Sequence, residues 1–141
     1  MEKASSITEH LEIIIKKLSL INTPENKEVI DDLRIFTQKP YTSWDLIDCF
    51  IFYDAGVDSL KMLNKIKRNL TKTEPDSESL MIITSSIDDL KKIIRENTTH
   101  IREKEEKEEQ EERHRLKVRN MAFLSCITVL AIIIGHHFLT K

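Results

Sequence analysis

Glycine is scarce in this sequence: the 141 residues include two, Gly56 and Gly135. Phosphate-binding loops, nucleophile elbows and dinucleotide fingerprints need glycine where the backbone must approach a ligand closely. None of them can be built here, which argues against a nucleotide-using enzyme. No Ser/His/Asp or Cys/His grouping suggests catalysis either, because His10, His100 and His114 lie in charged helical stretches. We expect a protein that is not an enzyme and that has no cofactor and no metal site.

Cysteine is equally scarce, with Cys49 in an apolar helical stretch and Cys126 in a terminal apolar segment. The two cannot meet in one cytosolic fold, so we expect both to be reduced. The formal net charge is −2, which gives no indication of nucleic acid as a partner. Residues 1–6 are polar, so no secretory signal is expected at the start. These features predict a cytosol-facing body with protein partners.

Charged residues are missing from Met121 to Thr140, where no Asp, Glu, Lys or Arg occurs. About 20 helical residues span roughly 30 Å, the thickness of a bilayer's hydrocarbon core. A surface-lying helix would have a charged face, and a core helix would need apolar neighbours on every side. We therefore predict a transmembrane tail anchor in the lipid bilayer, with the His136-His137 pair at headgroup level and the N-terminus in the cytosol.

Basic residues precede this anchor and are expected to flank the membrane: Arg113, Arg115, Lys117 and Arg119. Basic residues on the cytoplasmic side fit the positive-inside rule and attract anionic headgroups. The modest apolar run, with basic residues before it and Lys141 after it, favours the outer mitochondrial membrane. The endoplasmic reticulum is the alternative.

Helical spacing of apolar residues predicts an all-α soluble part with five or six short helices. Ser6-Ile7-Thr8-Glu9 reads as a capping box that opens a helix over about 6–20. Thr23-Pro24 places a capping threonine before a proline at the first helical position, which predicts a second helix over about 24–37. Pro40 follows that helix and favours its end.

The most apolar soluble stretch, residues 44–53, predicts the central helix of the core, with a cap at Thr42-Ser43. Gly56 suits the left-handed position after the end of that helix. Val57-Asp58-Ser59 would then cap a further helix. If Phe52 or Tyr53 stays exposed, it becomes a candidate contact residue, although a core position is the simpler expectation.

Charge is sorted between these helices. The outer face of the second helix is largely acidic, whereas the helix after Gly56 has a basic face with Lys61, Lys65, Lys67, Arg68 and Lys72. Opposite faces of this kind are usually solvated surface. They could also support head-to-tail association of like domains into a homo-oligomer, since complementary charge orients partners.

A heptad seam begins after a polar loop and has one polar break. It consists of Leu80, Ile83, Ile87, Leu90, Ile94, Asn97 and Ile101. The seam could pack on the domain as its last helix, or self-associate with another chain as a coiled coil. Beyond Ile101 the apolar positions vanish, which predicts a solvated or disordered spacer. We predict four parts: a helical bundle (1–75), the heptad helix (76–101), a charged spacer (102–119) and the anchor (120–140).

The second to fifth segments resemble the death-effector domains of the death-fold superfamily. The resemblance rests on Ile30-Asp31-Asp32-Leu33-Arg34-Ile35-Phe36, Asp45-Leu46-Ile47, Gly56-Val57 and the run from Leu60 to Leu70, and covers about 40 residues. It implies a death-fold-like bundle with Asp31, Asp32 and Arg68 at the interaction surface. With Lys61 and Lys65 of the basic face, these form the candidate interaction residues. The family's Arg-x-Asp-Leu signature is reduced here to Arg68-Asn69-Leu70.

Two functions fit these patterns. The first is a tail-anchored adaptor or regulator that displays a helical interaction module to cytosolic partners, with apoptosis or innate immune signalling implied by the resemblance. The second is a coiled-coil membrane tether or a fusion or trafficking protein. Fusion proteins of that type need apolar heptads up to the anchor, whereas here the seam stops about 20 residues short of it.

Overall fold

The computed structural model describes the backbone of residues 2–139 and the side chains of residues 7–139. Over that range the chain forms α-helices and two short 3-10 turns and has no strand, so the predicted all-α class is confirmed. The helices are α1 (Glu2–Leu18), α2 (Pro24–Arg34), α3 (Leu46–Thr73) and α4 (Glu78–Leu139); the turns are Ile35–Thr37 and Tyr41–Ser43. The predicted roles of the Ser6 side chain, Thr140 and Lys141 lie outside the described residues.

The chain divides into an N-terminal unit, Met1–Arg102, and a C-terminal unit, Glu103–Lys141. The N-terminal unit contains the hydrophobic core, to which α1, α2, α3 and the first part of α4 contribute. In the C-terminal unit the described side chains are exposed, apart from the half-buried Lys104. The predicted spacer, apart from Arg102, and the predicted anchor belong to this second unit.

The first two helices are joined by a buried asparagine. Thr23 caps α2 by accepting a hydrogen bond from the backbone N–H of Asn26 at 3.2 Å, and Pro24 opens the helix, which confirms the predicted start. The buried Asn26 amide donates to the carbonyls of Leu18, the last residue of α1, and of Ile21 in the loop that follows. The predicted start of α1 at Ser6 is wrong, because the helix begins at Glu2.

The start of α3 also differs from expectation. Thr42 and Ser43 belong to a 3-10 turn, so the cap is Asp45, whose backbone is extended. Its carboxylate accepts from the Asp48 N–H at 2.8 Å, and the Asp48 carboxylate accepts from the Asp45 N–H at 3.1 Å. This reciprocal pair satisfies two backbone donors that no helical carbonyl can reach.

The predicted break at Gly56 is wrong: α3 runs without interruption from Leu46 to Thr73. No described glycine has a positive φ, so Gly56 is not a helix terminator. A Cβ at position 56 would lie 2.9 Å from Cδ1 of Ile94. Gly56 therefore allows α3 and α4 to approach closely, and the five or six predicted short helices become four α-helices.

The heptad seam of α4 lies in the core of its own N-terminal unit. Ile83, Ile87, Leu90, Ile94, Asn97 and Ile101 are buried, and Leu80 is half-buried. Ile93 is buried as well, so the apolar face is wider than the two positions per heptad of a coiled-coil seam. Of the two arrangements that the pattern left open, packing on the domain is the one that this chain adopts.

The polar break of the seam is a hydrogen-bonded crosslink. The side-chain carbonyl of Asn97 accepts a hydrogen bond from the Tyr41 hydroxyl at 2.9 Å, and its side-chain NH2 donates to the backbone carbonyl of Cys49 at 3.0 Å. All three residues are buried. Asn97 thus connects α4 both to α3 and to the second 3-10 turn.

Replacing Gly56 by leucine tests the close approach of α3 and α4. We expect Gly56→Leu to lower the free energy of unfolding by about 1–3 kcal/mol, because the new side chain overpacks against Ile94. Denaturant unfolding measures this change in the free energy of unfolding. The fluorescence of Trp44, the sole tryptophan and a buried residue, follows the unfolding of the core. Adding Ile94→Ala should recover part of the loss.

The control is Asn69→Leu, which places the same side chain at an exposed position of α3. It should change the free energy of unfolding by no more than about 0.5 kcal/mol. If Gly56→Leu is as stable as the wild type, the close approach is wrong.

Candidate protein-interaction surface

A groove of about 480 Å³ opens on the surface of the N-terminal unit, between the end of α2 and the first half of α3. It is lined by Asp32, Ile35, Phe36, Gln38, Lys39, Trp44, Asp48, Ile51 and Ala55. We call this feature the α2–α3 groove. Its residues come from α2, the first 3-10 turn, the following linker and α3, so the groove exists only once these segments have packed.

The floor of the groove is a cluster of aromatic rings. The ring centroids of Phe36 and Trp44 lie 5.8 Å apart, those of Phe36 and Phe52 5.1 Å, and those of Trp44 and Phe52 5.3 Å. Tyr41 packs edge-on against Trp44 at 4.8 Å. The indole N–H of Trp44 donates to the Lys39 carbonyl at 3.2 Å. Tilted and edge-on packing of this kind fixes ring orientation, so the floor is preorganised.

The apolar walls of the groove reach solvent. Ile35 is 60% exposed and Ile51 is 53% exposed. Beside the groove on α3, Ile47 is 67% exposed and Phe50 is 44% exposed. The three α3 residues stand three and four apart, on one helix face. A contiguous apolar patch rimmed by polar residues is typical of an interaction site.

The rim of the groove is charged. Lys39 Nζ lies 2.6 Å from Asp48 Oδ2, and this hydrogen bond is the main reason that the pKa of Lys39 is raised above 10.5 and the pKa of Asp48 is lowered below 3.8. The backbone N–H of Asp45 lowers the Asp48 pKa further. Asp32 forms no ion pair within residues 7–139. The groove thus combines apolar walls with an unpaired carboxylate on its rim.

The candidate interaction residues from the sequence are not brought together. Asp32 lies on the groove, while Asp31 is exposed and stands 4.0 Å from Arg34. Lys61 and Arg68 line a separate shallow depression on the second half of α3, and Lys65 is exposed on the same helix.

Some groove residues could not be recognised from the sequence. Residues 44–53 read as apolar nearly all round, which hides the exposure of Ile47, Phe50 and Ile51. Phe52 is buried against the rings of Phe36 and Trp44, whereas Tyr53 is 41% exposed. One sequence signal does indicate exposed apolar side chains here: residues 46–53 contain more apolar residues than one buried helix face requires.

The C-terminal unit holds the segment expected to meet a membrane. In the described part of the chain, α4 is the one helix long and apolar enough to cross a bilayer, and none of its apolar stretch is buried. The flanking basic residues are exposed, and Arg113 pairs with Glu109 at 2.6 Å, one helical turn away. Among the side chains of residues 7–139, no three His, Cys, Asp or Glu are grouped to hold a metal ion.

No family model, no curated protein and no solved structure matches this chain. The resemblance to death-effector domains therefore stays a prediction. The groove, the charges and the apolar segment are the features from which a function can be inferred.

Titration of Asp48 tests the geometry of the rim. Because its pKa is lowered in the folded chain, the stability from the Lys39–Asp48 pair is present above pH 3.8 and is lost as the pH falls through the lowered value. We expect Lys39→Gln to move the Asp48 pKa back towards 3.8. Carboxyl-carbon NMR of the full chain in detergent micelles measures it.

Lys27→Gln serves as the control, because Lys27 is exposed on α2 and forms no ion pair in the described part of the chain. It should leave the titration of Asp48 unchanged. An Asp48 that titrates at 3.8 in the wild type would contradict the rim described here.

Proposed function

We propose that this protein is a single-pass membrane protein, anchored by the apolar segment of α4, whose N-terminal helical bundle is a protein-interaction module, acting as an adaptor or regulator on the cytosolic side. The observation that carries the proposal is the α2–α3 groove, an exposed apolar groove with a rigid aromatic floor, in a chain that also holds an exposed apolar helix of membrane-spanning length. Neither feature needs a cofactor or a reaction.

The membrane part of the proposal rests on charge and length. The stretch from Met121 to Leu139 has no acidic or basic residue apart from two histidines, and exposing it to water would be unfavourable. The basic residues before it favour an N-terminal side in the cytosol. The outer mitochondrial membrane is the proposed location, with the endoplasmic reticulum as the alternative.

The interaction part of the proposal rests on the groove. A groove with apolar walls accepts the apolar face of an amphipathic helix, whose anchors recur three and four residues apart. The floor is already ordered, so little conformational entropy is lost in shaping the site. Asp32 on the rim favours a partner that places a Lys or Arg beside its apolar anchors.

The pathway follows from the resemblance alone: adaptors of apoptosis or innate immune signalling display modules of the death-fold class. The alternative, a coiled-coil tether or fusion protein, would need the seam of α4 for pairing between chains. Burial of Ile83, Ile87 and Leu90 inside the N-terminal unit favours the interaction module.

An arginine inside the apolar segment tests the anchor. We expect Leu130→Arg to release the protein from membranes, because an arginine at the centre of a spanning helix costs about 2.5–3.5 kcal/mol on insertion. The fraction that resists alkaline extraction from cell membranes measures anchoring. Leu116→Arg, the same change at an exposed position before the segment, should leave it unaltered. Equal extraction of both variants would contradict the anchor.

Serine at two groove walls tests the module. We expect Ile35→Ser with Ile51→Ser to lower the recovery of groove-dependent neighbours roughly tenfold or more in proximity labelling with the full chain, since each lost isoleucine contact is worth about 1.5–3 kcal/mol when buried. Trp44 fluorescence reports whether the fold persists.

The matched control is Ile13→Ser with Leu20→Ser, which removes two exposed aliphatic side chains outside the groove. It should leave the neighbour list unchanged. If the groove variant and the control give the same neighbours as the wild type, the groove is not the binding site.

A further inference from the structure

The two halves of α3 carry opposite charge. From Asp45 to Leu60 the helix and its cap contain four aspartates and no Lys or Arg, whereas Lys61 to Lys72 contains five basic residues and no Asp or Glu. The sequence pattern divided this region into two helices, so the segregation could not be recognised there. On one unbroken helix it becomes a single acidic-to-basic surface.

Six exposed residues form one stripe along this helix: Ile51, Asp54, Asp58, Lys61, Lys65 and Arg68. We call it the α3 stripe. Successive members stand alternately three and four residues apart, the spacing that keeps one face of a helix against a partner helix. The stripe is symmetric about the point between Ser59 and Leu60. On the N-terminal side of this point the two charged residues, Asp54 and Asp58, are acidic. At the equivalent positions on the C-terminal side, Lys65 and Lys61 are basic.

The four central charges of the stripe are unpaired within the described part of the chain. Asp54, Asp58, Lys61 and Lys65 form no ion pair within the described residues. The stripe also places like charges four residues apart, Asp54 with Asp58 and Lys61 with Lys65, which is unfavourable on an isolated helix.

A second copy of the chain can provide ion-pair partners for the charges of the α3 stripe. When two α3 helices run antiparallel about a twofold axis at the centre of the stripe, Asp54 faces Lys65 of the second copy and Asp58 faces Lys61 of the second copy. The twofold axis repeats both pairs, because an isologous contact uses the same patch twice. Ile51 then lies beside the aliphatic stem of Arg68 of the second copy, which can cover apolar surface.

We propose that the protein forms an antiparallel homodimer through the α3 stripe. This goes beyond the proposed function: the stripe shares Ile51 with the α2–α3 groove, but its four central charges lie outside the groove. Exposed ion pairs are individually weak and are screened by salt, so the dimer is salt-sensitive. Confinement of both copies to one membrane raises their effective concentration.

Charge exchange in the full chain tests the dimer. One variant carries Asp54→Lys and Asp58→Lys, which makes its four central charges basic; the other carries Lys61→Glu and Lys65→Glu, which makes them acidic. Sedimentation in detergent micelles, at a fixed ratio of protein to detergent, measures association. We expect each variant alone to associate at least tenfold more weakly than the wild type, and an equimolar mixture to recover wild-type association as a heterodimer.

The control is Glu9→Lys with Glu12→Lys, an equal change of charge at exposed positions of α1, which should leave association unchanged. Trp44 fluorescence checks that each variant keeps its core. The proposal is overturned if the wild type is monomeric throughout, if either variant associates as tightly as the wild type, or if the mixture stays dissociated. The second of these outcomes would assign association to another surface, such as α4.

Discussion

The fold of the N-terminal unit depends on one buried amide. Asn97 accepts a hydrogen bond from the Tyr41 hydroxyl and donates one to the Cys49 carbonyl, so α4, the second 3-10 turn and α3 are held in one register. A buried polar group left without a partner costs about 1–3 kcal/mol, so a shift of α4 by one turn is strongly disfavoured. Tyr41 supports Trp44, and Trp44 forms part of the groove floor. The candidate interaction surface therefore rests on a contact that lies wholly inside the unit.

The same packing decides which surfaces remain for partners. Because Leu90 and the four isoleucines of the seam are buried, the apolar face of α4 contributes to stability rather than to recognition. Two surfaces of different chemistry remain exposed to solvent. The α2–α3 groove is apolar with a charged rim, and the α3 stripe is mostly charged. The first suits a helix with apolar anchors, and the second suits a surface of matching charge. A charged, exposed helical segment and an apolar helix of spanning length follow in the C-terminal unit.

Much of the core could be predicted from the sequence, and the surfaces could not. Helical spacing identified the seam positions of α4, all of which are buried except the half-buried Leu80, and Thr23-Pro24 identified the start of α2, because both signals are local. Gly56 was misread because glycine serves two purposes, ending a helix or letting another helix approach, and only the position of Ile94 decides between them. The groove joins Ile35 and Ile51 across a linker, and no periodicity within one helix shows that their side chains share a wall.

The most direct test of this account is hydrogen exchange of the full chain in lipid nanodiscs at two protein concentrations. If the seam is buried inside the N-terminal unit, the backbone amides from Ile83 to Ile101 exchange slowly. The exchange rate of each amide is then the same at both protein concentrations. Protection of that segment which appears only at the higher concentration would show that the seam pairs between chains. The packing of α4, and with it the groove, would then be wrong.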